Sequence, residues 1–246
     1  MRYFIELSYN GKAYHGWQNQ PNAISVQQVL EEALSKLLRL DVSIMAAGRT
    51  DAGVHASQMF AHFDFNNIID KTLVFKLNSF LPNDIAIHDI FLVNNNAHAR
   101  FDATSRTYIY KISQQKNVFN HDFCYALHKP LDLDVMNYAS QILSEYNNFQ
   151  CFSKVHTDVK TYYCNIMYAQ WVKQDDQFIF TIKADRFLRN MVRAIVGTMV
   201  NIGLGKMNVE DLHDVIKSKN RSKAGFSVPA HGLYLTKIEY PKTIKP

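Results

Sequence analysis

Residues 25–38 read SVQQVLEEALSKLL, and this stretch sets the frame for the rest of the chain. Ser25 followed three residues later by Gln28 forms a capping box, in which side chains satisfy the first free amides of a helix. Val26, Val29, Leu30, Ala33, Leu34, Leu37 and Leu38 then recur at the spacing of one buried helical stripe. Toward the N-terminus, Tyr3, Ile5, Leu7 and Tyr9 alternate with their neighbours, so residues 2–9 predict a strand that turns at Asn10-Gly11. Toward the C-terminus the pattern predicts a strand over 42–47, a loop over 48–56, a strand over 59–65, a helix over 70–81 stopped by Pro82 and a strand over 85–93. The order is β-α-β-β-α-β.

The second half repeats it. Strands are predicted over 107–113, 165–173 and 178–183, with a polar turn at Asp175 and Asp176, and a last strand over 233–240. Helices are predicted over 134–146 and 187–204, with an added one over 208–218. The chain therefore reads as an α+β protein of two ferredoxin-like halves, residues 1–104 and 105–246, each a split βαβ unit. Helices segregated in this way imply mostly antiparallel sheet covered on one face, with the other face free to bind. The four-stranded RNA-recognition fold uses such a face to read nucleic acid.

Composition narrows the function classes. A chain of 246 residues that is 47% hydrophobic and 20% charged, with nine glycines and six prolines, can bury a core without disulfides or a structural metal. Its three cysteines, Cys124, Cys151 and Cys164, form no CxxC pair and read as reduced thiols of a cytoplasmic protein. The N-terminal segment carries Glu6 within its apolar run, and no run approaches the ~18 apolar residues of a membrane span. The net charge of +5 and pI of about 9.0 favour a polyanionic partner without establishing one. His55, His62, His88 and His98 lack HExxH spacing, so no metal site is expected. Gly205-Lys206 lacks the rest of a phosphate loop, and no GxGxxG occurs.

The densest chemistry lies in the loop Ala47-Gly48-Arg49-Thr50-Asp51-Ala52-Gly53-Val54-His55-Ala56. Arg49 and Asp51, two apart, share one side of an extended segment, and the glycines permit close approach of another backbone or a ligand. The same residues also fit an ordinary hairpin whose Asp closes a turn and whose Arg is solvated. On the helix predicted over 187–204, Phe187, Met191, Ala194, Ile195 and Met199 form the buried side. Arg189, Asn190, Arg193 and Gly197 form a narrow polar strip, which is either functional or plainly solvated. Tyr108 and Tyr110 share a strand face with Arg106.

The loop 48–56 resembles the signature of the TruA family of tRNA pseudouridine synthases. Further segments resemble the same family in order: Tyr14-His15-Gly16-Trp17-Gln18 with Ser25-Val26-Gln27, then Leu77-Asn78 with Leu81-Pro82 and Asp84-Ile85, and Phe101 with Ala103-Thr104 and residues 106–110. Later come Phe187-Leu188-Arg189-Asn190-Met191-Val192-Arg193 with Ile195-Val196-Gly197, and Ala230-His231-Gly232-Leu233-Tyr234-Leu235. Residues 221–229 match less closely. The resemblance implies the pseudouridine synthase fold, with the two halves sharing one continuous sheet. It implies isomerisation of uridine in the tRNA anticodon stem-loop by a homodimer, without cofactor.

By the same resemblance Asp51 is the catalytic carboxylate, acting as nucleophile toward the nucleoside or as base toward the ribose. Burial raises a carboxyl pKa unless a fixed cation opposes it, and the resemblance gives that pairing to Arg193. Tyr108 is expected to stack under the extruded uracil and to serve proton removal at carbon five, with Tyr110 in the core. Turning the nucleotide out of a stem costs a few kcal/mol, and Arg49 is expected to fill the gap. His55, Lys12 and Arg189 join the expected RNA contacts. His15, Arg100, Lys183, Arg186 and Lys206 are further phosphate candidates. A catalytically silent RNA-binding module on the same sheet, and a nucleoside hydrolase using the same carboxylate, remain the rival readings.

Overall fold

The alternation in the first residues produces β1 (Arg2–Tyr9), and the Ser25 cap produces α1 (Val26–Leu38). Ser25 Oγ accepts from Gln28 N at 3.1 Å, and Arg39 ends the helix in the left-handed region at φ 57°. The structure is a computed structural model describing residues 1–155 and 159–246. After α1 come β2 (Met45–Ala46), β3 (His55–Asp64), α2 (Thr72–Phe80) and β4 (Ile85–Val93). The second series is β5 (Ser105–Ser113), β6 (Tyr125–Ala126), α3 (Leu133–Ile142), β7 (Ile166–Gln174), β8 (Gln177–Ala184), α4 (Met191–Gly203), α5 (Asp211–Ser218) and β9 (Leu233–Glu239). The strands hydrogen-bond in the order β4-β1-β3-β9-β5-β8-β7, with β2 on β3 and β6 on β5, in one nine-stranded sheet. The molecule is thus the mixed helix-and-sheet protein that the pattern predicts.

Two compact units are present, Met1–Ser105 with Leu235–Pro246, and Arg106–Tyr234. In the first, β1 pairs antiparallel with both β3 and β4. Ile5, Leu7, Leu30, Leu34 and Leu77 are fully buried there. In the second, β8 pairs antiparallel with β5 and β7, and Trp171 stacks on Phe180 at 4.8 Å. No helix among the described residues is long and apolar enough to cross a membrane.

Several boundaries differ from expectation for identifiable reasons. The strand predicted over 42–47 shrinks to Met45–Ala46, because Val42 N donates to Ser35 Oγ and Ile44 N to Glu31 Oε1. Their amides are satisfied by side chains of α1 and are withdrawn from the sheet. β3 starts at His55, four residues early, because Ala56 pairs with Tyr9 across a register shift that leaves the extra residue on β3. The helix predicted from 187 starts at Met191, since Asn190 is left-handed at φ 66°. β6, a two-residue strand parallel to β5, carries no alternation long enough to read.

The open face expected of the sheet is filled in the first unit. Phe4, Phe60 and Phe91 project from neighbouring strands, and Tyr240 meets Phe4 at 5.2 Å and Phe60 at 5.4 Å, both edge to face. Tyr240 Oη donates to Ala99 O at 2.6 Å, tying the C-terminal segment to residues 97–101 over the cluster. Three large rings on one sheet face bury too much apolar area to stand in water.

Candidate active site

The Asp51 loop is held from below by the segment that follows β1. Gly11 N donates to His55 Nδ1 at 3.1 Å, and Gly53 N donates to Tyr14 O at 3.3 Å. Trp17 N donates to Thr50 O at 3.3 Å, while Val54 N closes a turn on Asp51 O at 3.1 Å. Tyr9 and Thr50 share a buried hydroxyl–hydroxyl hydrogen bond of 2.8 Å. A Cβ at Gly11 would lie 2.0 Å from Val54 O, and one at Gly16 would lie 2.4 Å from Thr50 O. Both glycines are therefore required by closeness, and Gly16 also by its φ of +85°. Tyr14 Oη donates to Asp84 Oδ1 at 2.6 Å; burial, then that carboxylate, raises its pKa and keeps the phenol protonated.

On this base Asp51 is half-buried and Arg49 exposed. Lys12 and His15 are also exposed, on the supporting segment. His55 is only 2% exposed and lies beneath the loop. Of the first unit's predicted residues, the fold brings Lys12, Arg49, Asp51 and His55 onto two adjoining segments. Arg100 is exposed, with its guanidinium over the ring of Phe101 at 5.6 Å.

In the second unit Tyr108 lies on β5 opposite Ile182 and meets the ring of Phe187 edge to face at 5.2 Å. Arg193 is one of two residues of α4 that escape full burial, the other being Asn201. Its Nε donates to Val228 O at 2.7 Å, and Val228 N returns a bond to Arg193 O at 3.3 Å. Tyr110 is fully buried and donates to the neighbouring carbonyl, Pro229 O, at 2.9 Å. Arg106 Nη1 donates to Asp185 O at 2.8 Å. Arg189 is exposed just before the helix, and Lys154 N donates to its carbonyl at 3.0 Å. Lys206 is exposed beyond the other end of α4, whereas Lys183 and Arg186 are half-buried.

The polar strip expected on α4 is not one surface. Arg189 and Asn190 precede the helix, and Gly197 is buried beneath Phe226, whose carbonyl would stand 1.8 Å from an added Cβ. Residues 221–228 cover that side: Gly225 N donates to Thr198 Oγ1 at 2.8 Å, and Arg221 braces the crossing through Gly225 O and Ser227 Oγ, each at 2.9 Å.

Among the described residues no group of three His, Cys, Asp or Glu could hold a metal ion. All three cysteines are free and buried, and burial pushes Cys151 and Cys164 up to about 12, leaving them poor nucleophiles at neutral pH.

A family model described as tRNA pseudouridine synthase matches residues 143–241. Across 248 residues the chain is 53% identical to tRNA pseudouridine synthase A of Parabacteroides distasonis, covering 100% of this chain and 98% of that protein. The chain belongs to the tRNA pseudouridine synthase family. It is 52% identical to tRNA pseudouridine synthase A of Bacteroides fragilis over 247 residues, covering 99% of this chain and 98% of the other. To the protein of that name from Dictyoglomus thermophilum it is 39% identical over 245 residues, covering 96% of this chain and 98% of the other.

Membership makes this synthase an isomerase and disfavours the silent RNA-binding module. Sequence reading missed the parts that hold the loop, namely Tyr9, Thr50 and the Tyr14–Asp84 pair, and missed the Val228 carbonyl that holds Arg193. The available signal was glycine placement, since Gly16 stands between the aromatic residues Tyr14 and Trp17, away from any predicted turn.

Proposed function

We propose that this synthase isomerises uridine in the anticodon stem-loop of tRNA, with Asp51 as the catalytic carboxylate. The glycosidic bond from ribose C1′ to uracil N1 breaks, the base turns, and C1′ bonds to carbon five. The proton leaving carbon five balances the one gained at N1, so no outside atom or electron is needed. Asp51 serves either as nucleophile or as base on the ribose.

The observation that carries the reading is a half-buried carboxylate on a loop fixed by backbone hydrogen bonds, in a chain similar over its whole length to proteins named for this reaction. By the family resemblance Arg193 is assigned as the cation that pairs with the Asp51 carboxylate. Tyr108 is assigned to stack on the extruded uracil and Arg49 to occupy the gap left in the stem. Lys12 and Arg189, both exposed, are assigned to phosphates. His55, buried and accepting from Gly11, is assigned to holding the loop and not to touching RNA. The three cysteines, none in a disulfide, support a cytoplasmic setting, and the family resemblance supports a homodimer, which the molar mass from light scattering checks directly.

Asp51→Asn keeps the shape and removes the charge. Its expected result is retained tRNA binding with pseudouridine formation abolished, read by chemical mapping of the modified tRNA. Normal turnover would refute the catalytic assignment, and release of free uracil by the unaltered protein would point to the hydrolase.

A further inference from the structure

We infer that the buried hydroxyl pair of Tyr9 and Thr50, together with Gly16, is a positioning device that sets the height and direction of the Asp51 carboxylate. The inference rests on Asp51 being the reacting carboxylate.

Three independent contacts converge on the residue immediately before Asp51. Thr50 Oγ1 meets Tyr9 Oη at 2.8 Å, with both side chains buried. Thr50 O accepts from Trp17 N at 3.3 Å. Gly16, at φ +85°, brings its α-carbon so near that an added Cβ would lie 2.4 Å from Thr50 O and 3.1 Å from the carbonyl carbon of Asp51. Tyr9 is anchored in turn, since it ends β1 and its ring packs on Trp17 at 6.0 Å. Thr50 is thus tied by side chain to the sheet and by backbone to the aromatic segment.

The chain leaves Thr50 with one peptide link before the Asp51 side chain. Fixing Thr50 leaves Asp51 few backbone directions, and the turn bond from Val54 N to Asp51 O removes more of them. A carboxylate that must meet a flipped nucleotide gains rate from being held where the reaction needs it, and a displacement of about 1 Å can cost on the order of a hundredfold. Neither hydroxyl need touch RNA to do this.

The test compares Tyr9→Phe, Thr50→Val, their double variant, Thr50→Ser and Gly16→Ala under single turnover with saturating tRNA, per folded molecule. Removing either hydroxyl is expected to lower the rate at least about tenfold while leaving tRNA affinity within about twofold, because the lost interaction acts on the reacting group and not on binding. The double variant is expected to fall no further than the worse single one, as residues acting as one unit do. Thr50→Ser, which keeps the hydroxyl, is expected to recover most of the rate, whereas Gly16→Ala is expected to lose it. A wild-type rate per folded molecule in Tyr9→Phe and Thr50→Val, with Asp51→Asn dead, overturns the positioning role and leaves the assignment of Asp51 standing. Full activity of Asp51→Asn overturns that assignment instead. Activity lost only in proportion to folded protein, with rates unchanged, also counts against the inference.

Discussion

His62 shows how one side chain acquires a role from where it is put. It projects from β3 into the covered face of the first unit, meets the ring of His98 at 4.6 Å, and accepts from Ala99 N at 3.1 Å. Burial, then the charge of Arg2 and the neighbouring His98, pull its pKa down to about 4, while Asp64 and Asp102 oppose the shift only weakly. The folded protein therefore holds His62 neutral where the unfolded chain would protonate it. Stability from this site is complete above about pH 6.5 and declines as pH falls through about 4, at no more than about 1.4 kcal/mol per pH unit. Urea unfolding of the native protein and His62→Gln across that window checks it, with the variant expected to show the shallower dependence. A parallel pair of curves would assign the acid sensitivity to other groups.

At the scale of the element, α4 is the informative case. Its apolar periodicity was legible in Met191, Ala194, Ile195 and Met199, but all of its residues except Arg193 and Asn201 are buried. A helix hydrophobic all round needs a cover on every side, and the cover here is residues 221–228, whose own sequence has no period to announce it. Gly197 is what permits the crossing, with Phe226 O occupying the space a Cβ would fill at 1.8 Å. Because the obstructing atom is backbone, Gly197→Ala is expected to destabilise by about 1–3 kcal/mol or more, measured by denaturant unfolding. It should also release Val228 O from Arg193 Nε, so activity is expected to fall beyond what the unfolded fraction explains. A native-like midpoint would mean that the cover moves freely.

For the whole molecule, 27 basic against 22 acidic residues give a modest positive charge whose value depends on where it lies. Cations that contact phosphates release condensed counterions, so affinity for tRNA is expected to fall steeply with salt. Six contacts would cost on the order of a thousandfold between about 50 and 200 mM. Filter binding over that range checks this, and a flat response would remove Lys12 and Arg189 from the RNA-contacting set.

Most elements and their order, though not the two-residue β6, were legible in the chain, because helix and strand periods, the Ser25 cap and Pro82 act over neighbouring residues. The sequence also carried the family through the loop around Asp51. Tertiary contacts alone drew the amides of Val42 and Ile44 to α1, laid Tyr240 over the aromatic face, and brought Tyr9, Gly16 and Thr50 together. Those outcomes depend on contacts between residues tens of positions apart, where shape and the need to satisfy buried polar groups choose among partners that local pattern leaves equal.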